Sequence, residues 1–240
     1  MKNILIDIGN SSHCKAALSD GNGLLAVRRL PRSGLRRSLD EDAALSGPAD
    51  VVCVSSVAAG DRETELWLED RCRKLIVVDA STPMPLRLDY STPETLGSDR
   101  IAAAVGAMSI FPGEDCTIFD FGTAITVDFV SATGIFRGGN ISPGLSMRLR
   151  ALHQFTGRLP LVDASVPSGL VGKNTYDAVN NGVVLGIIFE VERYINCNPG
   201  SRIIFTGGDA LFFAKMLKSP IFVVCNLVLT GLSKIAQVNV

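Results

Sequence analysis

Hydrophobic and polar positions along the chain fall into two runs with the same order. From the N-terminus, residues 3–8, 12–18 and 24–30 are apolar, strand-length stretches joined by tight turns, and the turn "SDGNG" has strong hairpin chemistry. A polar, helix-compatible stretch follows at 34–46. "DVVCVSSV" then reads as a buried strand, "DRETELWLEDRCRK" as an amphipathic helix and "LIVVDA" as another buried strand. After a proline-rich link, "GSDRIAAAVGAMSIF" predicts an Ala-rich helix. The pattern restarts at Cys116. "CTIFDFG", "AITVDFVS" and "IFRGGNIS" predict three strands, with "SATG" as a hairpin turn, and "GLSMRLRALHQF" predicts a helix. "RIIFTGG", "DALFFAKMLK", "PIFVVCN" and "LVLTGLSKIAQ" complete the run as strand, helix, strand and helix. The order β-β-β-α-β-α-β-α thus occurs twice, over 1–114 and 115–240. The second copy carries an insertion near 157–200 with a long helix near 175–195.

Each copy places an aspartate at the end of its first strand, followed by one apolar residue, a glycine and a small polar residue: "DIGNSS" at Asp7 and "DFGT" at Asp120. One such turn is weak evidence, whereas two in matching contexts are much stronger. Glycine and small hydroxyl residues let backbone N–H groups approach a phosphate closely. An aspartate on the same turn can hold a cation directly or through water. Two α/β units, each a mixed sheet covered by helices, would grip a polyphosphate with these turns.

Composition narrows the class. The 240 residues are 47% hydrophobic and 20% charged, with a net charge of −1, which is an ordinary globular composition and gives no footprint for nucleic acid or membrane. The one basic concentration, Arg28, Arg29, Arg32, Arg36 and Arg37, lacks interleaved aromatics and precedes "DED". It reads as a solvated face. No stretch reaches the ~18 apolar residues of a membrane helix, and the short apolar N-terminus is not a signal peptide. Six scattered cysteines with no CxxC pair indicate buried thiols in a reducing cytoplasm. "GNGLLA" sits in a hairpin turn, so it is not a dinucleotide fingerprint. "GLVGKN" has short spacing, and Asn174 stands where a P-loop needs a hydroxyl. His13 and His153 cannot make a metal cluster alone.

The paired turns resemble those of the ATPase superfamily of actin, sugar kinases and heat-shock chaperones. The motifs "DIGNSS", "LGSDRIAAAVGA", "DFGTAITVDFV", "FRGGNISPG", "GKNTYDAVNNG" and "TGGDA" identify the chain more closely as similar to type III pantothenate kinases. Ser11 stands where that family usually has threonine and keeps the hydroxyl. The resemblance implies two duplicated ribonuclease-H-like α/β domains, mixed sheets flanked by helices, with a nucleotide cleft between them. The implied activity is ATP-dependent phosphorylation of the primary hydroxyl of pantothenate. Asp7, Ile8, Gly9, Asn10, Ser11, Ser12, His13 and Cys14 would wrap the ATP phosphates, with Asp7 facing Mg2+. Thr123 would touch the phosphates, and Asp120 would bind a monovalent cation, K+ or NH4+. Tyr90, Gly97, Ser98, Asp99, Arg100 and Thr175 would line the pantothenate site, with Asp99 as base. A carboxylate at a helix start can accept a hydroxyl proton, and Arg100 could meet the substrate carboxylate. An N-cap flanked by surface charges is the bland alternative for "SDR". His153 could reach the substrate or be a satisfied histidine, and Asp209 could cap a helix. The stripe Val183, Val184, Ile187, Ile188, Val191 and Ile195 could pack on its own domain. The family is dimeric, so a homodimer interface is the favoured reading of it. A non-enzymatic protein on the same fold, or a kinase for another acceptor, is the alternative function.

Overall fold

The computed structural model describes residues 1–56 and 62–240. The last residue of the "DVVCVSSV" strand expectation and the first of the following helix lie outside these. The chain divides into two compact units. The first comprises Met1–Glu114, Asp128–Gly138 and Asn226–Val240, and the second Asp115–Val127 and Gly139–Cys225. These segments interleave, because a hairpin end and the closing helix are counted with the first unit.

In the first unit, β1 (Asn3–Ile8), β2 (His13–Ser19) and β3 (Leu24–Pro31) form an antiparallel meander. β4 (Ala49–Ser56) and β5 (Cys72–Val77) extend it in parallel on the other side of β1, giving the order β3-β2-β1-β4-β5. The sheet is apolar on both faces, as helix-covered strands require. On one face Ile4, Ile6, Val52 and Val54 pack with Leu35 and Leu39 of α1 (Leu35–Glu41) and Leu68 of α2 (Arg62–Glu69). The pleat sends Asn3 and Ser19 to the other face, where the Ser19 hydroxyl lies 2.9 Å from that of Ser233 in α7 (Leu227–Val238).

α3 (Ser98–Ile110) and α7 pack through two glycines. A Cβ on Gly231 would lie 1.7 Å from the carbonyl oxygen of Ala102, and one on Gly106 would lie 2.4 Å from that of Leu227. The short β6 (Arg87–Leu88) pairs with the start of β9 (Ile135–Pro143).

In the second unit, β7 (Cys116–Phe121), β8 (Ala124–Val130) and β9 are followed by parallel partners of β7: β10 (Arg202–Gly207) and β11 (Ile221–Val223). The order β9-β8-β7-β10-β11 repeats β3-β2-β1-β4-β5 strand for strand. The duplication read from the apolar pattern is therefore a duplication of topology. Between β9 and β10 come α4 (Leu145–Phe155) and the long α5 (Thr175–Cys197), and α6 (Ala210–Ala214) precedes β11. The core is aromatic. Phe205 lies 5.2 Å from Phe119 and 4.7 Å from Phe121, ring centre to ring centre, and Phe213 stacks on Phe121. Phe119 and Phe121 alternate with Asp120, which the strand period sends to the opposite face.

Four expectations need correction. The second helix ends at Glu69, because Cys72 already begins β5. The helices expected at 34–46 and 209–218 cover only Leu35–Glu41 and Ala210–Ala214. On α5, Val183, Val184, Ile187, Ile188 and Val191 are buried within the chain itself, so that stripe is core packing. The exposed apolar side chains here are others, including Phe155, Leu170, Tyr176 and Phe189.

Candidate active site

Parallel pairing places each turn aspartate identically. Asp7 is in register with Ser55 on β4, and Asp120 with Thr206 on β10. Each turn therefore leaves its sheet beside the end of a parallel neighbour, where open α/β sheets bind ligands.

In the first unit, the turn after Asp7 is braced internally. The Ser11 hydroxyl donates to the His13 carbonyl at 2.5 Å and accepts from the His13 N–H at 3.2 Å, and the Ser12 hydroxyl lies 3.0 Å from His13 Nδ1. Asn10, Ser11, Ser12 and His13 are exposed, and nothing would meet a Cβ on Gly9 within 4 Å. Cys14 faces the core, where burial pushes its thiol up to about 11, so it can offer a ligand only its backbone.

The start of α3 gathers Tyr90, Ser98, Asp99 and Arg100. The Ser98 hydroxyl is buried and tied to β4: it lies 3.1 Å from the Ser55 hydroxyl, accepts from the Ser56 N–H at 3.0 Å and donates to the Ser56 carbonyl at 3.2 Å. Gly97 is the N-cap and no side chain caps the helix, so Asp99 is not a cap. Its Oδ1 accepts from the Arg100 N–H at 2.8 Å and lies 2.5 Å from where a Cβ on Gly97 would sit. Burial raises the Asp99 carboxyl above the usual carboxylate range, against smaller lowering by the Arg100 N–H and charge. Such a group is a stronger proton acceptor than a solvated aspartate.

Arg100 is not a surface charge. Its Nε and Nη2 donate to Oδ1 of Asp128 at 2.9 and 2.5 Å, and the two side chains are 8% and 1% exposed. Its guanidinium carbon lies 5.6 Å from the Phe136 ring centre and 6.0 Å from that of Tyr90. Asp128 escaped the sequence reading. The available signal was an aspartate inside the apolar strand "AITVDFV", since a buried carboxylate needs a cation.

In the second unit, two turns converge on Asp120. Gly207 has φ +91°, and a Cβ there would lie 2.4 Å from Asp120 Oδ1 and 2.5 Å from the Phe121 carbonyl, so glycine is required twice over. The Asp209 N–H donates to that same carbonyl at 3.2 Å. Burial raises the Asp209 carboxyl, and its side chain makes no capping bond. Gly144 abuts the Gly122 and Thr123 carbonyls, each 2.4 Å from a Cβ there, and its N–H donates to Thr123 at 3.0 Å.

Thr175, at the start of α5, lines a cavity of about 620 Å3 with Leu152, Leu159, Gly172 and Val179; Asp120 and Thr123 are not among its walls. His153 Nδ1 lies 2.8 Å from the Leu159 carbonyl. In the rejected "GLVGKN" loop, Asn174 caps α5 by accepting from the Asp177 N–H at 2.9 Å.

Two sheets of one strand order, each with an aspartate–glycine turn after its first strand, form a fold also seen in solved sugar-kinase structures. The structure of a Listeria monocytogenes protein described as a candidate N-acetylmannosamine kinase matches with TM-score 0.58 over 100% of both chains at 14% identity, a likeness of fold alone. A Campylobacter jejuni protein described as a Baf family transcriptional activator matches with TM-score 0.68 at 25% identity over 98% of both chains. The family model for type III pantothenate kinase matches residues 3–197. A type III pantothenate kinase of Porphyromonas gingivalis is 42% identical over 99% of each chain. The chain belongs to the type III pantothenate kinase family.

Proposed function

We infer that this chain transfers the γ-phosphoryl group of ATP to the primary hydroxyl of pantothenate, the entry step of coenzyme A synthesis, with Asp99 as the base. The observation that carries the assignment of the base is the desolvated Asp99 carboxylate at the start of α3, bonded to the N–H of Arg100, whose guanidinium faces the Tyr90 ring. Asp99 accepts the hydroxyl proton as the oxygen attacks phosphorus, and ADP leaves. Tyr90, Gly97, Ser98, Arg100 and Thr175 serve the acceptor. Ser98 acts by anchoring the helix, and Arg100 presents the guanidinium edge that Asp128 does not use to the substrate carboxylate.

Residues 7–14 and Thr123 hold the ATP phosphates. Among the described residues no group of three or more His, Cys, Asp or Glu side chains could hold a metal. A Mg2+ carried by the phosphates would be met by one carboxylate, Asp7, directly or through water. Asp120, crowded with the Phe121 carbonyl around Gly207, offers the oxygen-rich surroundings that K+ or NH4+ prefers. We further propose the two duplicated halves 1–114 and 115–240 as the evolutionary units, a homodimer, and a cytoplasmic location. The exposed Phe155, Leu170, Val171, Tyr176 and Phe189 support a second copy as partner. No helix among the described residues is long and apolar enough to cross a membrane.

The test is ADP release from ATP with pantothenate, a sugar, acetate or no acceptor, in K+ and in Na+. Release should require pantothenate and be faster in K+. Equal release with a sugar would overturn the acceptor, and equal rates in the two salts would overturn the Asp120 assignment.

A further inference from the structure

The basic cluster that runs from the third strand into α1 is not one uniform solvated face. Arg28 pairs with Asp42 at 2.7 Å, Arg36 with Glu63 at 2.8 Å and Arg37 with Glu41 at 2.7 Å. Arg32 differs. Among the described residues no carboxylate is paired with it, and it is exposed. Its backbone is fixed to the first phosphate turn: His13 is in register with Pro31 at the end of the β2–β3 ladder, and the Arg32 N–H donates to the Ser12 carbonyl at 2.9 Å. Its side chain turns back across that turn, and Nη1 donates to the Gly9 carbonyl in a long bond of 3.4 Å.

We propose that Arg32 is a further nucleotide-binding residue, whose guanidinium contacts the phosphate oxygens of ATP as they enter the Gly9–Ser12 turn. This rests on the reading that residues 7–14 wrap the phosphates. The resting bond to Gly9 is neutral-acceptor and long, so a phosphate oxygen, charged and matched to the guanidinium fork, displaces it readily. Burial dominates the raised Cys14 thiol, and two charges act on it more weakly, Asp7 raising it and Arg32 lowering it. Cation and carboxylate thus act on the same end of the hairpin. Asp7 alone would repel the polyphosphate, and Arg32 offsets that repulsion where the phosphates pass. The ladder of the sheet, not a loose loop, holds the Arg32 backbone in register.

Arg32→Ala and Arg32→Lys would be titrated calorimetrically with ATP, ADP and adenosine at two KCl concentrations, beside melting curves and steady-state kinetics. Arg32→Ala should weaken ATP by about 10-fold to 100-fold, the scale of a lost charge-assisted contact. Adenosine affinity and the KM for pantothenate should stay within about 2-fold, and ATP binding should become less sensitive to salt. Arg32→Lys should recover part of the ATP affinity. Because the side chain is exposed, the melting temperature should not move. ATP affinity within about 2-fold of the native chain, or an equal loss for ATP and adenosine, overturns the inference. If the native chain itself binds ATP no better than adenosine, the reading of the turn as a phosphate site fails instead.

Discussion

Substituting Gly231 by alanine separates helix propensity from packing. In an unconstrained helix this change should stabilise by roughly 1 kcal/mol. Here the new methyl would sit 1.7 Å from the Ala102 carbonyl oxygen, 2.6 Å from its carbon and 3.0 Å from the Gly106 nitrogen. All three are backbone atoms of α3, so no rotamer change relieves the clash. An ordinary carbon–oxygen contact is ~3.3–3.6 Å, so α3 and α7 must separate by more than 1 Å. Overpacking of this kind costs ~1–3 kcal/mol, occasionally more. With rigid atoms on the facing helix, the upper end applies, leaving a net loss of about 2 kcal/mol after the propensity gain. For a chain of this size that lowers the melting temperature by about 4–8 °C. Activity should fall too, because Ala102 lies one turn from Asp99. A misplacement on the order of 1 Å can cost 10²-fold in turnover. Gly186→Ala, in α5, is the control, since nothing lies within 4 Å of its Cβ position; it should melt at or slightly above the native temperature. Thermal unfolding followed by far-ultraviolet dichroism, with ADP release on the same samples, reads both effects. If Gly231→Ala melts at or above the native temperature, the glycine contact between α3 and α7 is not what sets their spacing.

Removing one partner of the buried Arg100–Asp128 pair should destabilise by about 3–5 kcal/mol. Asp128→Asn should therefore unfold at much lower urea than Arg100→Met with Asp128→Leu, and comparable midpoints would contradict a net electrostatic role for the pair. The Asp99 carboxyl, raised by burial, favours folding only while protonated. That stability is full below the unfolded-state pKa and is lost as pH rises through the folded one. Asp99→Asn should accordingly melt higher than the native chain at pH 8, with the gap closing toward pH 4. A lower melt at pH 8 would mean that the carboxylate stabilises the native state.

The sequence was most legible where one physical rule governs. Alternating or continuous apolar runs ended by glycine turns marked every strand of both sheets except the two-residue β6, which has no periodicity to read. The paired turns at Asp7 and Asp120 were found because one local chemistry recurred in one element order. What stayed hidden depends on partners distant in sequence. Asp128 looks like an irregular residue of a strand until Arg100, 28 positions earlier, supplies its cation. Composition grouped Arg32 with four other arginines, three of which pair with carboxylates. Only the register of His13 with Pro31 sets it beside the Gly9 turn. The apolar stripe of α5 has the same helical spacing whether it faces its own core or a second copy, and burial decided for the core.

The central claim is the assignment of the base, and Asp99→Asn tests it most directly. The two side chains are nearly the same shape, so the change removes basicity more than packing. ADP release should be measured at saturating ATP and pantothenate, beside a calorimetric titration with ATP. Loss of a general base costs ~10²–10⁴-fold, and the upper end is expected if Asp99 also orients the hydroxyl. ATP binding should stay near that of the native chain. Turnover within about 10-fold of the native rate with intact ATP binding would place the base elsewhere.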